Sequence, residues 1–144
     1  MRIADILRIK GTAVLTARSN ETLQAAAKRF RQEGVGALVV LGDGESLDGI
    51  ITERDLCNGL ALHGVNAYRH PISEVMTSQV ITCSPQEGLA NVARIMTERR
   101  LRHLPVKDGT RVVGVVSIGD ILKYRLDEAQ LENRVLRDVA MAMR

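Results

Sequence analysis

The sequence reads GIITERDL at residues 49–56 and, 65 positions later, GVVSIGDI at residues 114–121. Both segments contain a glycine, two β-branched residues, a hydroxyl residue, two variable positions, an aspartate and an apolar residue. A β-branched run that leads into a hydroxyl residue predicts a strand that ends where a helix begins. Because the segment recurs, the chain is predicted to contain two copies of one structural unit.

The repeat extends upstream of both segments. A shift of 66 residues aligns residues 14–40 with residues 80–106. Apolar positions then coincide with the i, i+3, i+4, i+7 spacing that predicts one buried helix face. These positions are Leu23, Ala26, Ala27 and Phe30 in the first copy, and Leu89, Val92, Ala93 and Met96 in the second.

The flanking residues predict where each helix starts and what surrounds it. Ser84, Pro85 and Glu87 have the spacing of an N-cap, a first-turn proline and a capping-box glutamate, and Ser19 or Asn20 is the expected cap in the first copy. Matching lead-in segments occur at 3–7 and 72–76. Each unit is therefore predicted to run lead-in, strand, helix, strand, turn, strand, helix.

Composition excludes several classes of function. The 144 residues carry a net charge of +3 with the two signs interspersed, which argues against a nucleic-acid-binding stripe in spite of a pI near 9.2. We find no apolar run long enough for a signal peptide or a membrane span, and no catalytic or metal-ligand motif, so we expect a cytoplasmic protein without enzymatic activity. Cys57 and Cys83 are interpreted as reduced structural thiols.

The hydroxyl and the aspartate of the repeated segment allow two interpretations. Thr52 and Ser117 stand at predicted helix N-caps, and Asp55 and Asp120 follow at N3, so each pair could simply form a capping box. The same geometry suits a ligand, since a helix N-terminus binds phosphate and an aspartate one turn further can accept both hydroxyls of a ribose.

The glycine that opens each segment also has two interpretations. Gly49 and Gly114 could let a bound base approach the strand closely, or they could mark a bulge or close packing of the backbone.

Taken together, these segments resemble a tandem pair of cystathionine-β-synthase (CBS) domains, a Bateman module, over residues 3–125. The matching segments are ISEVMT, VITCSP, RRLRHLPV and GVVSIGDI, with VLTARS, VGALVV and GIITERDL in the first copy. The resemblance implies an α/β (α+β) fold with two β-α-β-β-α units, residues 1–66 and 67–126, packed about a pseudo-twofold axis. Residues 127–144 are expected to form a C-terminal helical tail.

The resemblance also implies adenosine-containing ligands in two clefts between the units. Thr52 and Ser117 would then meet phosphate, and Asp55 and Asp120 would take the ribose. The remaining candidates are Thr16 and Thr82 beside the adenine, Arg102 and His103 near the phosphates, and Arg54 with its counterpart Gly119.

Some of these residues have plainer interpretations. His103 could be a partly buried strand residue, and Arg99 and Arg100 are interpreted as solvated cations at a helix end. The copies also differ, because Gly36-Ala37-Leu38-Val39 stands where the second copy has Arg102-His103-Leu104-Pro105. One cleft is therefore predicted to favour a polyphosphate, while the other takes a shorter or neutral ligand or stays empty.

The functional hypothesis is a stand-alone regulatory sensor that binds AMP, ADP, ATP or NAD(H), requires no cofactor for catalysis, and is read by an unidentified regulated protein. The alternative is a structural dimerisation module with vestigial clefts. The apolar residues of the tail favour a homodimer under either hypothesis. Binding to nucleic acid or to a membrane is not expected.

Overall fold

The computed structural model describes residues 1–143, which form five α-helices and five β-strands. In chain order these are α1 (Ile3–Lys10), β1 (Thr16–Ala17), α2 (Leu23–Glu33), β2 (Ala37–Leu41), β3 (Leu47–Thr52), α3 (Glu53–His63), α4 (Leu89–Arg99), β4 (His103–Asp108), β5 (Arg111–Ser117) and α5 (Ile118–Ala142). Short 3₁₀ turns lie at Asp43–Glu45, Gly64–Arg69 and Ile72–Glu74. The predicted mixed fold with a C-terminal helix is confirmed.

The two units carry sheets of unequal size. In the first unit β1 pairs parallel with β2, and β2 pairs antiparallel with β3. In the second unit β4 and β5 form an antiparallel pair, and the counterpart of β1 is reduced to one parallel bridge between Cys83 and Val106. Each unit still ends with a strand that runs directly into a helix, as the repeated segment predicts.

The helix starts differ from the prediction. α2 is capped by Thr22, whose Oγ1 accepts a hydrogen bond from the Ala25 N–H at 3.2 Å, and α4 begins after Gly88. The prediction of Ser84 and of Ser19 or Asn20 as N-caps was therefore wrong. Both helices start two or more residues later than the capping pattern indicated.

Pairing between the units explains these late starts. The Ile3 N–H donates to the Glu87 carbonyl at 2.9 Å, and the Ile72 N–H donates to the Glu21 carbonyl at 2.8 Å. The two glutamate carboxylates fold back onto the N–H groups of Arg18 and Ser84, which closes a turn ahead of each helix. Because the carbonyls of Glu21 and Glu87 accept hydrogen bonds from the other unit, they do not accept helical hydrogen bonds, and each helix begins after them.

The lead-in segments make these contacts reciprocally. Arg2 forms a bridge with Gly88 at the start of α4, and Pro71 forms the equivalent bridge with Thr22 at the start of α2. Each contact thus occurs twice with the roles of the units exchanged, which is the pattern of a twofold relation.

Each of the two hydrophobic cores also contains residues from the lead-in of the other unit. One cluster contains Ala17, Leu23, Ala26, Phe30, Leu38, Val40 and Ile51 of the first unit together with Ile72 of the second lead-in. The other contains Cys83, Leu89, Val92, Met96, Leu104, Val106, Val116 and Ile121 together with Ile3, Ile6 and Leu7 of the first lead-in. Of the predicted helix stripe only Ala27 is exposed. Each unit therefore completes the core of the other.

The strand glycines serve this packing. A Cβ atom on Gly114 would lie 2.7 Å from Leu7 Cδ2, and one on Gly49 would lie 2.7 Å from Met76 Sδ. Leu7 and Met76 occupy equivalent positions in the two lead-ins. Both glycines are thus explained by close packing against the lead-in of the other unit, without a bound base.

The last helix extends well beyond the second core. α5 spans 25 residues, and its second half leaves Leu131, Val135, Leu136 and Val139 exposed. Among residues 1–143, no helix combines the length and the apolar character needed to cross a bilayer.

Candidate functional site

A cavity of about 340 Å³, which we call the first cleft, lies between the two units at the N-terminus of α3. Residues from both units line it, because the link between the units and the start of β4 pass opposite the end of β3. The lining residues are Gly36, Ile50, Thr52, Glu53, Arg54, Asp55, Thr77, Gln79, Val80, Ile81, Arg100, Leu101, Arg102 and His103.

One wall of the first cleft is a capping box. The Asp55 N–H donates to Thr52 Oγ1 at 3.3 Å, and Asp55 Oδ2 accepts from the Thr52 N–H at 2.8 Å and from its hydroxyl at 3.1 Å. Within residues 1–143, the Asp55 carboxylate accepts hydrogen bonds only through Oδ2. Its Oδ1 is free to accept hydrogen bonds from a ligand, so the capping role does not exclude a binding role.

Three arginines line the first cleft. Arg54 lies in the first turn of α3, Arg100 ends α4, and Arg102 precedes β4. Within the described chain none of the three has a carboxylate oxygen within 4.0 Å. They also line a second, adjoining cavity of about 320 Å³. The result is a concentration of positive charge next to the N–H groups at the start of α3.

Arg100 adopts a backbone conformation that arginine rarely takes. Its φ of 55° and ψ of 42° are left-handed, and the equivalent residue of the first unit is Gly34, with φ 64°. A side chain in this conformation costs about 1–2 kcal/mol relative to the right-handed region. Arg100 is exposed at the end of α4, as the interpretation of a solvated cation at a helix end expected, and it also lines the first cleft.

His103 lies half-buried between the first cleft and the N-terminus of α5. Burial lowers the pKa of His103 below its usual range, and the positive charge of Lys10 adds to this effect. The ring is therefore neutral near pH 7 and can both donate and accept a hydrogen bond. The ring packs closely on Gly36, where a Cβ would lie 3.1 Å from the ring and 2.9 Å from Glu53 Oε1.

The start of α5 repeats the box but has an additional partner. The Asp120 N–H donates to Ser117 Oγ at 3.0 Å, and Asp120 Oδ2 accepts from the Ser117 N–H at 2.9 Å. Lys10 Nζ donates to the same Oδ2 and to the Val115 carbonyl, each at 2.7 Å. Burial opposes ionisation of Asp120, but these hydrogen bonds and the ammonium charge outweigh it and hold its pKa below the usual range.

The structure thus brings some of the predicted site residues together and separates others. Thr52, Arg54, Asp55, Arg102 and His103 all line the first cleft. The other predicted residues lie elsewhere: Ser117, Gly119 and Asp120 lie at the start of α5, Thr16 in β1, and Thr82 next to the Cys83 bridge.

Thr16 and Thr82 do not line the first cleft. The Thr16 carbonyl accepts a hydrogen bond from Arg29, and Thr82 is partly buried. The apolar positions next to Thr82 that do line this cleft are Val80 and Ile81.

The sequence analysis did not assign nine other lining residues to the site: Gly36, Ile50, Glu53, Thr77, Gln79, Val80, Ile81, Arg100 and Leu101. Ile50 and Glu53 lie inside the repeated segment, and the alignment of Arg100 with Gly34 indicates a left-handed position. The others are brought to the cleft by contacts between distant segments.

The family model described as CBS domain matches residues 3–62 and 72–127. The chain belongs to the CBS-domain family. The two matches confirm the predicted pair of CBS units. The chain is 33% identical over 138 residues to the mitochondrial CBS domain-containing protein CBSX3 of Arabidopsis thaliana, covering 90% of this chain and 67% of that protein.

Solved CBS structures share this architecture. The CBS-domain containing protein ATU1752 from Agrobacterium tumefaciens superposes with a TM-score of 0.85 at 34% identity, over 87% of this chain and 99% of that one. The CBS domain pair of protein MJ0100, solved in complex with 5′-methylthioadenosine and S-adenosyl-L-methionine, superposes with a TM-score of 0.79 at 31% identity, over 89% and 98%. The CBS domain pair of MJ0100 therefore binds adenosine-containing ligands.

Proposed function

We propose that this CBS pair is a regulatory sensor that binds an adenine nucleotide in the first cleft. The observation that carries the proposal is the convergence of Arg54, Arg100 and Arg102, without acidic partners in the described chain, on a cleft that also contains Asp55 and a helix N-terminus. Guanidinium groups and backbone N–H groups are the usual partners of phosphate. The three arginines outnumber the two carboxylates of the cleft, Glu53 and Asp55, and the net positive charge favours an anionic ligand.

The proposed pose follows from the distribution of charge in the cleft. Asp55 Oδ1 accepts hydrogen bonds from the ribose hydroxyls, and the phosphates lie against the three arginines. The adenine packs on the apolar side, against Val80 and Ile81. AMP, ADP, ATP and NAD(H) all meet these requirements.

The same charges separate this chain from the ligands of MJ0100. Methylthioadenosine carries no phosphate, and the sulfonium group of S-adenosylmethionine is a cation that three arginines would repel. We therefore expect nucleotides with at least one phosphate to bind more tightly than either of these compounds.

Asp120 differs from Asp55 because the Lys10 ammonium group donates to its Oδ2. Oδ1 of Asp120 accepts no hydrogen bond from residues 1–143, so the difference between the two positions lies in the cations: Lys10 is already paired with a carboxylate, whereas the three arginines of the first cleft are not. We therefore expect one nucleotide per chain, bound in the first cleft, which refines the expectation that the two clefts differ.

The alternative function, a structural dimerisation module with vestigial clefts, is favoured by the exposed apolar side chains of α5. It predicts no nucleotide binding in either cleft. In both proposals the chain has no catalytic role, acts in the cytoplasm and associates as a homodimer, and in the sensor proposal another protein reads the bound state.

Thermal unfolding with AMP, ADP, ATP, NAD, NADH, S-adenosylmethionine and methylthioadenosine tests the proposal. A nucleotide at 100 times its Kd is expected to stabilise the protein by about 2.7 kcal/mol. Arg102→Gln should weaken that nucleotide, whereas Arg31→Gln, which removes an exposed arginine of α2 outside the cleft, should not. No stabilisation by any of the seven compounds would favour the dimerisation module.

A further inference from the structure

Three metal-ligating side chains meet where the first unit joins the second. His63 ends α3, His70 lies in the link that follows, and Glu74 ends the 3₁₀ turn Ile72–Glu74. We call these three residues the His–Glu cluster. His70 Nδ1 lies 2.6 Å and His63 Nε2 lies 3.5 Å from Glu74 Oε2, and one ligand atom from each residue lies within 4.8 Å of the other two.

The backbone around the His–Glu cluster is held from both sides. A Cβ on Gly59 would lie 2.9 Å from Leu23 Cδ1 and 3.1 Å from Val75 Cγ1, so the glycine lets α3 pack closely against the residue after Glu74. On the other side, the Ile72 N–H donates to the Glu21 carbonyl at 2.8 Å. The carboxylate is therefore brought to the end of α3 by packing that does not depend on the histidines.

Hydrogen bonds alone do not explain why all three side chains of the His–Glu cluster lie so close together. The two imidazole rings stack with their centroids 3.7 Å apart and 14° between their planes, and His63 Nε2 lies too far from Glu74 for a normal hydrogen bond. Stacked rings this close would repel each other if both carried a proton charge. A dication between the ring nitrogens and the carboxylate would use all three groups at once.

We propose that the His–Glu cluster binds a divalent transition-metal ion, with Zn²⁺ as the ion that suits it. The cluster offers two imidazole nitrogens and one carboxylate oxygen, a donor set typical of zinc sites that keep a fourth position for water. Two nitrogen donors disfavour Mg²⁺ and Ca²⁺, which prefer oxygen. The half-exposed histidines leave room for a water ligand.

The distances require only a small adjustment. Two donors bound tetrahedrally to one zinc ion at about 2.0–2.1 Å lie roughly 3.3 Å apart. The separations of 2.6 and 3.5 Å from Glu74 Oε2 lie on either side of that value, and the ligand atoms of all three residues lie within 4.8 Å of one another. The in-plane lone pairs of parallel rings do not point at one centre, so at least one ring must rotate about χ2. That torsion has a broad energy minimum in histidine.

A bound ion would close the link between the units onto α3. The ion would hold the end of α3 at His63, while the start of the same helix carries Thr52 and Asp55 in the first cleft. The metal site is separate from the first cleft, so it can be tested with no nucleotide present.

The test is calorimetric titration of ZnCl₂ into the chelator-treated chain without an affinity tag. We expect one ion per chain in the wild type. Loss of an outer-shell partner alone weakens metal binding by about 10–100-fold, so Glu74→Gln and His70→Ala should each weaken zinc by at least about tenfold. Glu98→Gln, which changes an exposed glutamate of α4 outside the cluster, should leave zinc affinity unchanged.

Two further measurements keep the test decisive. Circular dichroism of the metal-free variants establishes that they fold, and His63→Gln provides another ligand variant if His70→Ala does not fold. X-ray absorption at the zinc edge should show imidazole and oxygen ligands. Sulfur ligation, loss of binding in Cys57→Ser, absence of stoichiometric binding, or equal affinity in wild type and Glu74→Gln would each overturn the proposal.

Discussion

At the scale of single residues, Asp55 and Asp120 occupy equivalent positions and differ in two contacts: the Thr52 hydroxyl donates to Asp55, and the Lys10 ammonium group donates to Asp120. Both carboxylates accept the N–H of a capping hydroxyl residue, but only Asp120 is also paired with a cation from the first lead-in helix. Within residues 1–143 the carboxylate of Asp55 has no cation within 4.0 Å, whereas that of Asp120 is paired with Lys10. The two equivalent positions therefore differ in local charge.

The Lys10 contact makes a prediction about acid stability. Because the folded-state pKa of Asp120 is depressed, its contribution to stability is present above the unfolded pKa of about 4 and is lost as the pH falls through the folded value. Lys10→Gln should therefore lower the free energy of unfolding at pH 7 and flatten its fall below pH 4. Urea unfolding at a series of pH values measures both effects.

Lys28→Gln is the control for that experiment, because it removes an exposed lysine of α2 with no carboxylate partner in the described chain. Identical pH dependence in the Lys10 variant and in this control would show that the ion pair contributes nothing.

At the scale of an element, the end of α4 combines strain with charge. Arg100→Gly removes a left-handed strain of about 1–2 kcal/mol, offset by the roughly 0.5–1 kcal/mol that glycine loses in chain entropy. We expect a net gain in apo stability of up to about 1.5 kcal/mol, together with weaker nucleotide binding. Urea unfolding and calorimetric titration of the same variant measure the two effects.

The equivalent position in the first unit supplies the matched comparison. Gly34→Ala meets no atom within 4 Å, yet it should lower stability by about 1 kcal/mol through backbone strain alone. A less stable Arg100→Gly variant would argue against strain at the end of α4.

The strand glycines give another prediction at this scale. Alanine at Gly49 would meet both Met76 Sδ and the Thr77 carbonyl, the latter at 2.8 Å, whereas alanine at Gly114 would meet only the Leu7 side chain. Overpacking costs about 1–3 kcal/mol, and a backbone carbonyl moves aside less readily than a side chain does. Gly49→Ala should therefore destabilise more than Gly114→Ala in denaturant unfolding, and the reverse order would contradict the packing account.

At the scale of the whole molecule, the order of elements could be predicted from the sequence, because periodicity and the repeated segment are local signals. The helix starts could not, since the carbonyls of Glu21 and Glu87 pair with lead-in residues of the other unit. The same limit applies to Lys10, whose partner Asp120 is 110 residues away. The residues of the first cleft that carry the repeated motif were predictable, whereas Gln79 and Arg100 were set by tertiary contacts.

The assembly is a prediction at the same scale. The apolar side chains of α5 that remain exposed, among them Leu131, Val135, Leu136 and Val139, favour a homodimer with twofold symmetry. Light scattering at micromolar concentration should give twice the 15.8 kDa mass of one chain, and Leu136→Glu should shift the protein toward the monomer. A mass of one chain for the wild type would contradict the prediction.

The central claim is that the first cleft binds a nucleotide through Asp55 and the arginines beside it. Calorimetric titration with the best ligand of the thermal screen compares wild type with Asp55→Ala, and Asp120→Ala serves as the internal control. Both variants lose the N3 side chain of a capping box, so each should be less stable without ligand, and Asp120→Ala also loses the ion pair with Lys10. Only Asp55→Ala should also lose charge-assisted hydrogen bonds to the ribose, about 1.5–3 kcal/mol, which raises Kd roughly 10- to 150-fold. An unchanged Kd in Asp55→Ala, alongside the lowered apo stability, would leave Asp55 as a helix cap alone and contradict the account.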